Sequence, residues 1–351
     1  MNVRLRASTK LDQALLVYVG SRLDLEEARE LAATLDGVVL SGRNSYARGR
    51  RLREMGYEGP LLMDDATYVD KEPAAEQLSF DTGIDDITVQ QSVGAARILV
   101  PTGEYFEGGN EQALIRSIEE ASARCPDQDS EHYAIVVALD SSWLVQHRAA
   151  LLRCLRTSSH YFALALGDKN DPLSRDGAVE ALAEVITEIP HTSLLRSDWG
   201  AIGALAFGAP LGAVGITTTH RHAVRPGDFA GGRRRDPSLR VIHPEALSFY
   251  SGELLERVRH AEEGCNCSAC QGQPLSRFYD ATLRPEANRH NVAIWRRVVD
   301  EVLWERPEHR AATWLGICRK AVEFEDEFAA KAKTDALRVD AQIRKWSELK
   351  L

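Results

Sequence analysis

Three cysteines fall within six residues in Gly264-Cys265-Asn266-Cys267-Ser268-Ala269-Cys270, and His290 follows twenty residues after the last of them. Thiolate is a strong, soft ligand for zinc, and imidazole suits the fourth corner of a tetrahedron. The Cys-x-Cys-x-x-Cys knuckle can hold three ligands on one turn, and His290 brings in a second element, because residues 292–303 carry the apolar period of an amphipathic helix. Four protein ligands close a site, so the expected ion is a structural Zn2+. A redox cluster is the competing reading, and His260 is the competing fourth ligand. The remaining cysteines, Cys125, Cys154 and Cys318, are isolated, and a cluster in a chain otherwise poor in cysteine favours metal over disulfides.

The other groups able to do chemistry follow short apolar runs. Eight such runs occur, at residues 14–19, 37–41, 60–64, 97–101, 133–139, 161–166, 192–196 and 212–217, with polar turns and helical stretches between them. Near-continuous apolar runs of this length are what strands buried on both faces look like. Residues 25–32 behind the N-cap Asp24, 112–118 and 178–186 have helical spacing. Eight alternating units predict a (β/α)8 TIM barrel over residues 1–245, with a doubly wound open sheet as the alternative. A zinc-binding helical subdomain at 246–310 and C-terminal helices at 311–351 are expected to follow.

A barrel places its chemistry at the carboxyl ends of the strands. Those ends read Arg43 and Asn44, Asp64 and Asp65, Thr102 and Glu104, Asp140, Asp168, Asp198, and His220 with His222. Asp140 and Asp198 each also fit the bland role of helix N-cap. The adjacent pair Asp64 and Asp65 aims one carboxyl at the mouth in either register, and a like charge beside it raises one pKa, which suits acid–base work. His220, His222 and Asp64 would together suit a second metal or unrelated acid–base chemistry. The one basic, Gly-rich stretch follows the eighth run: Arg221, Arg225 and Arg233-Arg234-Arg235 are candidate phosphate contacts, against the plainer reading of a solvated loop.

In this order the motifs resemble the tRNA-guanine transglycosylase family: Cys265, Cys267 and Cys270, then Ser276-Arg277-Phe278-Tyr279, then His290-Asn291 opening a helix. Upstream, Gly42-Arg43-Asn44-Ser45-Tyr46 is similar to the family's Gly-Asn-Thr-Tyr, and Gly59-Pro60-Leu61-Leu62-Met63-Asp64 to its Gly-Pro-x-Leu-Thr-Asp. The resemblance implies exchange of guanine for a 7-deazaguanine base in tRNA or, in one branch, DNA. An aspartate attacks the ribose C1′, and a second aspartate, Asp64 by position, handles protons. It also implies that the target base leaves its stack. The base-binding groups then come from the barrel mouth, where Arg43, Asn44, Asp65, Asp168 and His220 stand. The family's nucleophile lies on the last strand, where this chain has Val214-Gly215-Ile216-Thr217, so Asp198 or Asp140 is the expected substitute. The alternative is an accessory subunit that keeps the scaffold without the nucleophile. The family resemblance leaves a homodimer or a catalytic partner subunit as the expected assembly.

Composition bounds these readings. The 351 residues are 44% hydrophobic and 27% charged with net charge −9, ordinary for a globular chain and without a global basic field. Isolated cysteines, the absence of a signal-like apolar N-terminus and the lack of any spanning stretch make a cytoplasmic location, with no membrane contact, the expectation.

Overall fold

The computed structural model describes residues 11–69, 86–126, 131–228 and 238–351. Each of the eight apolar runs forms a strand: β1 (Ala14–Val19), β2 (Val38–Ser41), β3 (Leu61–Asp64), β4 (Ile98–Phe106), β5 (Tyr133–Asp140), β6 (Tyr161–Gly167), β7 (Thr192–Ser197) and β8 (Leu211–Gly215). They make one parallel sheet in the order β3-β2-β1-β8-β7-β6-β5-β4, a nearly closed (β/α)8 barrel. The two ends of that order, β3 and β4, meet at a seam. There Ala96 N–H donates to Leu61 O at 2.9 Å, and the buried Gln90 side chain pairs with both sides of the Leu99 peptide, at 2.8 and 2.9 Å. A side-chain amide thus supplies the hydrogen bonds that a neighbouring strand would give, because a buried peptide group left bare is costly.

The outer layer holds α1 (Leu25–Thr34), α2 (Ser45–Glu54), α3 (Asp86–Val93), α4 (Glu111–Ala123), α5 (Ser142–Val145), α6 (Arg148–Leu155), α7 (Ala178–Glu188) and α8 (Trp199–Ala206). Asp24 caps α1 through Glu26 and Glu27 N–H, as its position before the first helical residue predicts. Inside the barrel, Leu16, Tyr18, Val39, Leu62 and Leu99 meet the small Ala134, Ala138, Ala163, Ala165 and Ala213. Because one half of the wall is lined with alanine, the bulk needed to fill the interior comes from Tyr18 and from Tyr68, which lies beyond β3.

After β8 the chain leaves the barrel. An antiparallel pair, β9 (Arg240–His243) and β10 (Ser248–Ser251), leads to α9 (Gly252–Arg257), then the cysteine knuckle, then α10 (Arg284–Trp304). This last helix packs between α1 and α8, the position of the helix that follows the eighth strand of a (β/α)8 barrel. Asn288 bonds Glu27 at 2.7 Å, and Arg296 pairs with Asp36 at 2.9 Å. The knuckle is therefore an insertion between the eighth strand and its helix, and His290 sits on a barrel helix. Two further helices, α11 (Pro307–Ala332) and α12 (Ala341–Glu348), are fixed to α8 by aromatic packing of Trp314 on Trp199 and of Trp346 on Phe207 and Trp314. Gly203 permits this, since a Cβ there would run into the Trp346 ring. Among the described residues no helix is long and apolar enough to cross a membrane.

Candidate active site and metal centre

Backbone geometry builds the metal centre. Cys265 N–H bonds Gln273 O at 2.9 Å and Gly272 N–H bonds Cys265 O at 2.8 Å, while Cys270 and Gln271 N–H both reach Cys267 O. The turn needs Gln271 and Gly272 at positive φ, and a Cβ on Gly264 would strike Gly272 O. The three thiols then face His290, whose Nδ1 lies 3.8, 3.4 and 3.3 Å from the sulfurs of Cys265, Cys267 and Cys270. A tetrahedron with metal–sulfur and metal–nitrogen bonds of about 2.3 and 2.0 Å has sulfur–nitrogen edges of about 3.5 Å, so the cluster fits one ion. His290 Nε2 donates to Ile242 O at 2.7 Å, which leaves Nδ1 unprotonated to bind it. Arg277, paired with Glu286, also donates to Cys270 Sγ at 3.7 Å and offsets the thiolate charge. Cys265, Cys267, Cys270 and His290 are thus a Cys3His cluster able to hold a metal ion. His260 takes no part in it.

A separate cavity of about 520 Å3 opens at the carboxyl end of the barrel, over β1 to β3 and β7. Arg43, Asn44, Asp65 and His220, all expected at the mouth, line it together with Arg196, Ser21 and Thr219. Asp64 does not line it. Its carboxylate is 1% exposed, accepts the phenol hydrogens of Tyr18 and Tyr68 at 2.6 and 2.7 Å, and accepts Ala66 N–H at 2.9 Å. Of the adjacent pair, Asp65 is the one presented to the cavity. It is 7% exposed and accepts from Thr67 N–H and Oγ1, each at 3.2 Å. Burial and the Asp64 charge raise its carboxyl to about 6.

The loop after β8 forms one wall. His220 N–H bonds Thr217 O, and the Thr217 hydroxyl lies 2.6 Å from His220 Nδ1. The His220 main chain lies so close to Gly215, the last residue of β8, that no side chain fits there. Burial, with Arg196 and Arg48 nearby, lowers His220 to about 4 and keeps it neutral.

The other expected residues belong to different networks. Asp140 accepts Ser142 N–H at 2.9 Å in a cap-like turn and lies 3.4 Å from the Tyr105 hydroxyl. Asp168 accepts from Ser141 and pairs with Arg175 at 2.6 Å; burial would raise it, yet these partners and Asn170 N–H hold it below the usual range. Asp198 faces outward and takes a hydrogen bond from Gln342 of α12; burial raises it against the pull of Arg221. Neither Asp140 nor Asp198 lines the mouth cavity. Arg221 turns onto the Phe249 ring, 3.4 Å from its centre, and Arg225 pairs with Glu107 at 2.7 Å. Arg233, Arg234 and Arg235 lie outside the described residues.

Sequence reasoning missed Tyr18, Tyr68 and Arg196. The signal was present for Arg196, because a full charge inside an apolar strand run is rare unless it has a task. Another cavity, of about 550 Å3, adjoins the knuckle, floored by Phe324, Phe328 and His243; it is remote from the strand ends. Taken together, fold and site define a (β/α)8 barrel with a polar mouth cavity and a Cys3His cluster inserted before its last helix. Compared with known proteins, the chain matches no protein-family model and no curated protein.

Proposed function

We propose that the chain is a base-exchange transglycosylase that takes a nucleotide of DNA or tRNA at the barrel mouth and replaces guanine by a 7-deazaguanine base, with zinc in the Cys3His cluster as a structural ion. The observation that carries this reading is that Arg43, Asn44, Asp65 and His220, drawn from three separate strand ends, line one cavity at the catalytic face of a barrel. Among the described residues Asp65 is the only carboxylate lining that cavity, so it carries the covalent step. Its oxygen bonds C1′ as the C1′–N9 bond breaks, guanine leaves with the electron pair and takes a proton, and the incoming base reverses the sequence. A carboxylate held near 6 is ionised at neutral pH and more basic than an ordinary aspartate, both of which favour attack.

The second reading is an accessory subunit, favoured by Asp64, whose charge is taken up by two phenols, and by the glycine that ends β8. One assay separates them. Zinc-loaded chain is offered tRNA or duplex DNA with labelled guanine or 7-deazaguanine, and polymer-bound label is counted for wild type and Asp65→Asn. Label in one polymer, lost in the variant, supports exchange through Asp65. No label in either polymer from the intact chain favours the accessory role and rules out catalysis by this chain alone.

A further inference from the structure

The mouth cavity holds a cation that the base-exchange reading leaves without a task. Arg196 lines the cavity, is 6% exposed, and has no ion pair with any carboxylate among the described residues. Its Nη2 donates to Thr219 O at 2.8 Å, while its Nε–H is buried and meets no acceptor. The guanidinium lies 5.6 and 5.8 Å from the ring centres of Tyr18 and Tyr68. The nearby Asp64 is already engaged by two phenols and a main-chain N–H. A buried guanidinium without a hydrogen-bonded anion is costly, so this one is placed to meet an anion that arrives with a ligand.

A second feature of the same cavity points to that ligand. Ser41, Gly42, Arg43 and Asn44, which line it, lead into α2, a helix of ten residues. Asn44 stands at the N-cap, but its side chain accepts no helix N–H, and the first turn carries no acid. Ser45 Oγ, fully buried in that turn, has no hydrogen-bond partner. The N–H groups of an uncapped first turn and the positive end of the helix dipole favour an anion. A tetrahedral phosphate offers enough oxygens to meet an arginine fork and main-chain N–H groups at once. The cavity is also large enough for a nucleotide.

We propose that the barrel mouth contains a phosphate subsite between Arg196 and the N-terminus of α2, which takes the phosphate of a nucleotide. This deepens the base-exchange reading, since it says which part of the substrate the β2 side of the mouth holds, yet it is tested without exchange. Zinc-loaded chain is melted at constant ionic strength in chloride with inorganic phosphate, 5′-GMP, guanosine or a short single-stranded oligonucleotide. Phosphate and GMP should give a saturable rise in Tm, and guanosine none. Competition by the oligonucleotide identifies a phosphodiester as the group bound, and its failure to compete identifies a monoester.

Two variants bear on the geometry. Arg196→Gln removes the fork. Asn44→Asp places a carboxylate over the first turn, where it caps α2 and so preserves folding while repelling the ligand. Each should weaken phosphate at least about tenfold, the effect of losing one charge-assisted contact. A phosphate response that is absent in wild type, or that is undiminished in Asn44→Asp, overturns the proposal. Polymer labelling without a phosphate response would remove this subsite and leave base exchange standing. A phosphate response without labelling would do the reverse.

Discussion

Asp65→Asn should make the protein more stable and less active, and the stability gain should depend on pH. The wild-type carboxyl is held at about 6 by burial and by Asp64, against 3.8 for an ordinary aspartate. A raised pKa means that the folded chain binds the proton more tightly than the unfolded chain. Asp65 therefore costs nothing well below pH 3.8, where it is protonated in both states. Its cost grows between about pH 4 and pH 6 and is complete above that. At about 1.4 kcal/mol per pKa unit, the cost at neutral pH is about 3 kcal/mol. Asparagine keeps an oxygen for Thr67 N–H and Oγ1, so the hydrogen bonds that fix the turn survive. Urea unfolding of wild type and variant at pH 4.5, 6 and 7.5 measures the difference. The variant should exceed wild type by only about 1 kcal/mol at the lowest pH and by about 2–3 kcal/mol at the highest. A difference that is flat with pH, or that favours wild type at pH 7.5, would refute the reading of Asp65 as a buried, strained carboxylate.

Two further predictions test the frame around the site. Cys267→Ser should lose the bound metal by elemental analysis and cost several kcal/mol, because the free energy of a structural ion is folding free energy; equal stability without metal would remove the structural role. Gln90→Leu should open the seam between β3 and β4 by stripping both hydrogen bonds from the Leu99 peptide, at about 1–3 kcal/mol for each group left bare. Faster amide exchange at Leu99 than at the paired positions of β5 and β6 would report it, and unchanged protection there would sink the idea.

The parts of this protein that were legible in its sequence are those whose physics is local. A strand buried on both faces is apolar at most positions, so all eight barrel strands showed as runs. Three ligands on one turn must be close in sequence, so the knuckle showed as a spacing. A cap sits next to its helix, so Asp24 marked α1. The α2 helix was not legible, because four of its ten residues are arginine and one of them, Arg48, is spent inside the fold on the carbonyls of Gly20 and Leu23. Nor was the place of α10, since its amphipathic period is the same whether it covers a metal or completes a ring of barrel helices.

The roles of Asp64 and Asp65 show the limit most sharply. Their order along the chain says that one points inward and one does not, but not which of them faces the cavity. That is decided by Tyr18, which rises from β1 under β3, and by Tyr68, which turns back over the barrel after Ala66 takes a positive φ. Both tyrosines fill space that the alanine-lined half of the barrel leaves, so which carboxylate faces the cavity follows from core packing on strands β5, β6 and β8. Asp64 is held in the core by the two phenols, and its neighbour Asp65 is the acid left facing the cavity.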